Sequence, residues 1–251
     1  MDSKVLEVVE ATERLQNEYN QGHPGKPTFY IFYGLDGKKL MFVMQNPAVG
    51  ESGLEDEECQ RINSLQRTNP NYFSERIKMH QKYLAKWLQS KANKEFSEKF
   101  VEFLEHKEFW KSDKKCSDNY ENHFISEFYV TDLFKLRMTT TNLDDYRKES
   151  NKDQEWFNLF KKEVKNCEPD YIFSFSSRTW KALFKIFKFP PLEKKALRSN
   201  HGRKIQVSLD GKKYTLVPLY HFSPRIYNSL IEGSYWRYLD ENFDKPLTQI
   251  E

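Results

Sequence analysis

The spacing of apolar residues changes along the chain and separates predicted strands from predicted helices. Near-continuous apolar runs cover 39–45, 128–134, 171–175 and 214–220, and such runs are typical of strands buried on both faces of a sheet. Between 96 and 110 the spacing is helical instead, because large apolar side chains fall at i, i+4, i+7 and i+8: Phe96, Phe100, Phe103 and Leu104.

Other stretches complete an alternation of strands and helices. Helical spacing also marks 4–18, "KDQEWFNLFKKEVKNC" and "GSYWRYLDENF", and a further helix after 175 is predicted to be capped by Ser176 or Ser177. Asp-Gly pairs at 36–37 and 210–211 predict hairpin turns. The pattern predicts a three-layer α/β/α fold with a central, mainly parallel, four-stranded sheet. We expect a single domain over 1–251, with a charged helical insertion at about 55–125.

Composition narrows the class of protein only slightly. The chain has 251 residues and a formal net charge of +3, and no apolar stretch is long enough for a membrane span. The N-terminus "MDSKVLEVVEATERLQ" is acidic and amphipathic, which is unlike a secretory signal. We therefore expect a cytoplasmic monomer that does not bind membranes. A basic block at 185–204 fits either a phosphate backbone or a solvated surface.

Metal and cofactor sites are not expected. The three cysteines are far apart and form no C-x-x-C pair, and no two of the six histidines have helical metal-ligand spacing. The chain also lacks a P-loop, a G-x-G-x-x-G motif and a G-x-S-x-G motif, so common nucleotide-binding and hydrolase signatures are absent.

Polar residues follow each of the four predicted central strands. They are Gln45-Asn46-Pro47, Asp132, the serines between 174 and 177, and the segment His221 to Arg225. Ligands of parallel α/β sheets bind beyond the carboxyl ends of the strands. The sequence therefore predicts one site at this edge, built from four separate segments.

All four of these segments carry a resemblance to a known family. The stretches "MQNPAVGESG" and "HFSPR" resemble the first and last motifs of the uracil-DNA glycosylase superfamily. "FYVTDLFKLR" looks like the strand that ends in its base-reading residue, and "PDYIFSFSSRTWKALF" looks like a further family segment, with Ser177 where glycine is usual. The ending "HFSPR" is most similar to the single-strand-selective monofunctional branch.

The resemblance implies a hydrolase that acts on DNA without a cofactor. It would cleave the N-glycosidic bond of a flipped-out deaminated or modified base of the uracil type, as in base-excision repair. Asn46 would position the attacking water, and His221 would donate a hydrogen bond to the base carbonyl as negative charge develops. The Gln45 main chain would supply a second donor, Ser223 would contact a DNA phosphate, and Arg225 would fill the space of the flipped nucleotide.

Three of these residues also have a structural interpretation. Asn46-Pro47 fits a simple turn, His221 fits a hydrogen-bonded histidine at a strand end, and Arg225 fits a surface charge. On the same scaffold, the alternative function is a non-catalytic nucleic-acid-binding protein.

The chain departs from the family at the base-reading position, where Asp132 replaces the usual asparagine. An ionised aspartate only accepts hydrogen bonds, so it suits uracil poorly, whereas a protonated Asp132 would donate to cytosine N3 and accept from its amino group. Two structural alternatives for Asp132 are a helix N-cap and a partner for Lys135. The stretch after the first motif also lacks an aromatic ring for base stacking, and Tyr72 and Phe73 are the nearest candidates.

Overall fold

The structure is a computed structural model, which describes the chain in several separate ranges. These are residues 3–22, 39–45, 91–109, 128–136, 140–150, 153–188, 200–220 and 232–249, with scattered residues between 69 and 89. The hairpin predicted at 36–37 lies outside these residues.

Helices and strands alternate along the described chain. In order they are α1 (Ser3–Gly22), β1 (Leu40–Met44), α2 (Lys91–His106), β2 (Phe128–Asp132), α3 (Thr140–Ser150), α4 (Asp153–Cys167), β3 (Tyr171–Phe175), α5 (Ser177–Phe187), β4 (Ile205–Leu209), β5 (Lys212–Leu219), α6 (Glu232–Phe243) and β6 (Thr248–Gln249).

The described strands form a single mixed sheet with the order β2-β1-β3-β5-β4-β6. The four predicted central strands are adjacent and parallel, since β1 pairs with β2 and β3, and β3 pairs with β5. The prediction of an α/β fold with a mainly parallel sheet is therefore confirmed. Two strands that were not counted extend it: β4 runs antiparallel to β5, and the short β6 pairs with β4.

The turn between β4 and β5 is the hairpin predicted from its Asp-Gly pair. Asp210 has φ 50° and Gly211 has φ 82°, so both turn residues adopt the left-handed conformation. Two consecutive positive φ angles match the twist of the paired strands, and glycine adopts them without steric cost.

Helices cover both faces of the sheet, because the central strands are apolar on both sides. On one face, Met41, Val43 and Ile172 pack with residues of α1, α3, α4 and α5. On the other face, α2 and α6 cover a cluster rich in phenylalanine. The three-layer arrangement therefore has a separate hydrophobic core on each side of the sheet.

Helix α2 belongs to this second core, although it lies in the charged region 55–125. Phe100 packs edge-to-face against Phe42 of β1 at 5.1 Å and Phe173 of β3 at 5.2 Å between ring centroids. Phe96 makes a similar contact with Phe175 at 5.6 Å. The four apolar residues that predicted this helix are all buried against the sheet or its neighbouring helices.

None of the helices in the described ranges combines the length and the apolar character needed to cross a membrane.

Candidate functional site

The carboxyl ends of β2, β1 and β3 lie side by side at one edge of the sheet. The parallel register pairs Met44 with Asp132 and Val43 with Ser174. Side chains alternate along a strand, so Asp132 lies on the sheet face covered by α2 and α6, whereas Ser174 lies on the opposite face. The two residues share an edge of the sheet and approach it from different sides.

Gln45 adjoins Asp132 through main-chain pairing that continues beyond the strands. The Leu133 N–H donates to the Met44 carbonyl and the Phe134 N–H donates to the Gln45 carbonyl, each at 2.9 Å. The segments "MQNP" and "FYVTDLFKLR" are therefore joined at the place where their polar residues begin.

Asp132 is a buried carboxyl group without a hydrogen-bond partner in the described chain. The residue is 1% exposed, and neither of its carboxyl oxygens has a hydrogen-bond partner among the described residues. Burial raises the pKa of the Asp132 carboxyl from 3.8 to about 7; the charge of Lys135 opposes this shift and that of Glu163 adds to it. Near neutral pH the group therefore exists both as a neutral acid, which donates and accepts, and as a carboxylate, which only accepts.

The helix N-cap alternative for Asp132 is wrong, whereas Lys135 is a partner of its main chain. The residues after it, 133–136, are not helical, and α3 begins only at Thr140, so Asp132 does not cap a helix. The Lys135 ammonium donates to the main-chain carbonyl of Asp132 at 2.8 Å, while its ion pair is with Glu163. No described hydrogen bond links the Lys135 ammonium to the Asp132 carboxyl.

Two more polar atoms at this edge are buried without a hydrogen-bond partner in the described residues. They are the amide nitrogen of the Gln45 side chain and the hydroxyl of Ser174. An unsatisfied buried polar group costs about 1–3 kcal/mol. Together with Asp132, they leave donor and acceptor capacity at the carboxyl ends of three neighbouring strands, which is where a ligand with polar edges would bind.

Ser176 connects β3 to α5 in a conformation that normally requires glycine. Its φ of 86° and ψ of 153° lie in a region that is almost exclusive to glycine. Its main-chain N–H donates to the Leu219 carbonyl at 3.0 Å, and its hydroxyl accepts from the Thr179 N–H at 3.2 Å. Ser176 is thus the helix cap, and the glycine-like position lies there rather than at Ser177, which begins α5.

A histidine that the sequence did not single out fixes the end of β5. The Nδ1 atom of His201 accepts from the Tyr220 N–H at 3.2 Å, so the proton lies on Nε2, which is 3.3 Å from the Tyr235 carbonyl. Burial lowers the pKa of His201 to about 4, against the opposing effect of that carbonyl. His201 is therefore neutral near pH 7, as this hydrogen-bond arrangement requires.

Tyr235 of α6 completes a clamp on the residue that precedes His221. Its hydroxyl donates to the Tyr220 carbonyl at 3.0 Å, so side chains hold both main-chain polar groups of Tyr220. Gly202 allows the His201 turn to approach α6 closely, because a Cβ there would lie 2.8 Å from the Leu239 Cα. These contacts hold the chain up to Tyr220, the last described residue before the "HFSPR" segment.

The structure describes only some of the residues predicted for the site. Gln45 and Asp132 are neighbours at the predicted edge, while Asn46, His221, Ser223 and Arg225 lie outside the described residues, as does Phe73. Tyr72 is buried and its hydroxyl donates to Glu13 of α1 at 2.7 Å, so that end of the ring is engaged with the helix.

Part of the basic block 185–204 is described, and the side chains of two of its lysines have intramolecular partners. Lys185 lies 3.6 Å from Asp153, and the Lys204 ammonium lies 5.0 Å from the centroid of the Phe243 ring. Residues 189–199 lie outside the described residues. Across the ranges that can be described, no three His, Cys, Asp or Glu side chains are grouped as metal ligands would be.

Comparison with known families finds a match over most of the chain. A family model described as "Uracil DNA glycosylase superfamily" matches residues 31–240, which include all four central strands and the segments that follow them. No curated protein matched the chain.

Proposed function

We propose that this chain, which belongs to the uracil-DNA glycosylase superfamily, is a monofunctional glycosylase acting on a deaminated or modified base. Members of this superfamily generally hydrolyse N-glycosyl bonds in DNA. The finer proposal concerns the residues that perform this reaction and the base that they accept.

The buried carboxyl of Asp132 is the observation that carries the proposal. It ends β2, where the resemblance places the base-reading residue, and its two oxygens have no partner in the described chain. A buried ionisable group without a partner is costly to the fold, so its retention at the ligand-binding edge of a parallel sheet supports a role in recognition.

The proposed reaction breaks the bond between the base nitrogen and C1′ of the deoxyribose. The base leaves with the bonding electron pair, and the sugar passes through a state that resembles an oxocarbenium ion. A water oxygen then bonds to C1′ and keeps one of its protons as the new hydroxyl group, and its other proton passes through the solvent to the base anion. Asn46 would orient the water, and His221 would donate a hydrogen bond to the base oxygen on which charge accumulates.

Binding of the extruded nucleotide would use the remaining residues. Ser223 would contact a phosphate next to the target, and Arg225 would occupy the space left in the base stack. Unstacking and unpairing cost a few kcal/mol, so contacts of this kind must offset the cost. Extrusion is cheapest at mismatches and in single strands, which fits a target base produced by deamination.

The protonation state of Asp132 would determine which base edge is accepted. The neutral acid has one donor and one acceptor, and a base edge with the same pair in complementary order would satisfy both oxygens. Its O–H would donate to N3 of cytosine, and its carbonyl would accept from the amino group. The ionised form, with two acceptors, repels O4 of uracil. Asp132→Asn would fix one donor and one acceptor in the order that suits uracil.

A base-release assay tests this proposal directly. The wild type and Asp132→Asn are incubated with single- and double-stranded oligonucleotides that carry uracil, hypoxanthine, xanthine, a mismatched thymine or plain cytosine, and abasic sites are cleaved with alkali. We expect release from at least one substrate, and relatively more uracil release by Asp132→Asn. His221→Ala should lower the rate of release by about 10²–10³, the cost of losing one preorganised donor.

Two results would contradict parts of the proposal. Release from none of the substrates, together with retained binding to an abasic-site duplex, would favour the non-catalytic nucleic-acid-binding protein. An identical base preference in the wild type and in Asp132→Asn would show that Asp132 does not read the base.

A further inference from the structure

A buried ion pair lies on the face of the sheet opposite the Asp132 side chain. The Lys135 ammonium is 2.8 Å from Glu163 Oε2, and both side chains are 0% exposed. Lys135 belongs to the segment that follows β2, and Glu163 projects from α4. The pair is therefore far from solvent and close to the end of the strand that carries Asp132.

The hydrogen bonds around this pair are complete. The Lys135 ammonium uses its three protons on Glu163 Oε2, on the Thr131 hydroxyl at 2.9 Å and on the Asp132 main-chain carbonyl at 2.8 Å. The Thr131 hydroxyl donates to Glu163 Oε1 at 2.8 Å, and the Tyr129 hydroxyl donates to the same oxygen at 3.0 Å. Both charges are thus surrounded by specific partners.

This cluster holds the main chain on both sides of Asp132. Thr131 precedes Asp132, and Lys135 is itself held because the Gln16 side-chain amide of α1 donates to its carbonyl at 2.7 Å. The Leu133 and Phe134 N–H groups are bonded to β1. Every residue from Thr131 to Lys135 therefore makes at least one hydrogen bond that fixes its position.

Stability alone gives little reason for a buried ion pair. Removing two charges from water costs as much as their attraction returns, and well-packed apolar replacements are often neutral or stabilising. A pair that fixes geometry at a site is a different case, because recognition requires side chains held to within about 0.5 Å. Lys135 of this pair is bonded to the main-chain carbonyl of the proposed base-reading residue, so a role in fixing the geometry of the site accounts better for the pair.

We propose that Lys135 and Glu163 are positioning residues that hold the Asp132 main chain so that its carboxyl group meets the target base in one geometry. This inference rests on the proposed function. The two residues do not touch the base, since the sheet lies between them and the Asp132 side chain.

The pair also places two opposite charges near the Asp132 carboxyl, and these act on its pKa in opposite directions. Lys135 lowers this pKa and Glu163 raises it, in addition to the larger effect of burial. In the described chain these are the charged groups that act on Asp132. Loss of Lys135 alone should raise the pKa of Asp132 and loss of Glu163 alone should lower it, whereas loss of both charges should shift it less than loss of Lys135 alone.

The experiment compares two single variants, Lys135→Met and Glu163→Gln, with the double variant. Thermal unfolding, base release across the oligonucleotide panel and the carbon-13 NMR titration of the Asp132 carboxyl are measured for each, and Asp132→Asn identifies the NMR signal. The matched control is Lys212→Met with Glu168→Gln. That pair has the same separation of 2.8 Å but is exposed, with side chains 48% and 56% accessible.

We expect the titration midpoint to rise in Lys135→Met and to fall in Glu163→Gln. The double variant should unfold within a few degrees of the wild type, and its midpoint should lie between those of the two single variants, because both opposing charges are gone. Its kcat/KM should nevertheless fall at least tenfold with a weaker base preference, and its Asp132 signal should broaden. The exposed control pair should change none of these properties.

Two results would overturn the inference. In the first, the double variant has the rate, base preference and line width of the wild type, so the pair only supports the fold. In the second, the single variants leave the Asp132 midpoint unchanged. If the wild type releases no base at all, the proposed function fails instead, and the NMR midpoints and line widths still decide whether the pair acts on Asp132.

Discussion

At the scale of single residues, Asp132 connects recognition with the stability of the fold. The Asp132 carboxyl binds a proton more tightly in the folded state than in the unfolded state, because burial raises its pKa from 3.8 to about 7. Its contribution to stability is therefore complete below pH 3.8 and is lost as the pH rises through 7. Above pH 7 the buried carboxylate is an unfavourable charge.

Asp132→Asn should for this reason be more stable than the wild type at alkaline pH. The amide has the same shape and no charge, so the gain in the free energy of unfolding should approach roughly 4 kcal/mol above pH 7 and vanish near pH 4. Denaturant unfolding of both proteins between pH 4 and 8.5 measures this gain. A difference that does not change with pH would show that the Asp132 carboxyl is not desolvated in the folded protein.

Residue types at the strand ends were informative in the sequence, but their partners were not. Gln45 and Asp132 could be predicted as edge residues because each directly follows an apolar strand. The contact between Lys135 and Glu163 could not, since the periodicity of each segment carries no signal about the other. His201 was missed for the same reason: its role depends on Tyr220 and Tyr235, which the fold alone brings to it.

At the scale of elements, long apolar patterns were predicted well and weak ones were missed. Apolar residues recur at helical spacing in helix α4 and form continuous runs in the strands of the central sheet. Helix α3 has the sequence "TTNLDDYRKES", in which only Leu143 and Tyr146 are buried apolar residues, so it carries almost no helical pattern. The two-residue strand β6 is too short to show any alternation, and its pairing with β4 is purely tertiary.

The junction of β3 and α5 offers a test at this scale, because Ser176 is strained and also caps the helix. Ser176→Gly should relieve a conformation that costs about 1–3 kcal/mol and lose only a few tenths of a kcal/mol of capping. The greater freedom of glycine in the unfolded chain reduces the gain to about 1 kcal/mol. Urea unfolding monitored by circular dichroism measures it.

Two further variants separate strain from capping. Ser176→Ala keeps the strained backbone and loses the cap, so it should be destabilised by about 1 kcal/mol. Ser177→Gly, one residue along the same helix, relieves no strain and should not stabilise the protein. If Ser176→Gly proves no more stable than the wild type, the positive φ at Ser176 stores no energy.

At the scale of the whole molecule, the sheet contains strand pairs that are close in the sequence and strand pairs that are far apart in it. The β4–β5 hairpin closes through one tight turn, whereas Leu40 of β1 pairs with Phe128 and with Tyr171. Closing large loops costs chain entropy before any contact compensates for it, and hairpins form within about 1–10 μs. The edge that carries Gln45 and Asp132 should therefore be assembled late in folding.

The same substitution in two strands measures this order of events. Val207 in β4 and Val130 in β2 are both buried, with exposures of 4% and 3%. Val207→Ala should slow refolding in stopped-flow experiments, because its contacts are already present in the transition state. Val130→Ala should leave refolding almost unchanged and speed unfolding. Equal slowing of refolding by both variants would mean that the sheet forms as a whole, with the candidate site organised as early as the hairpin.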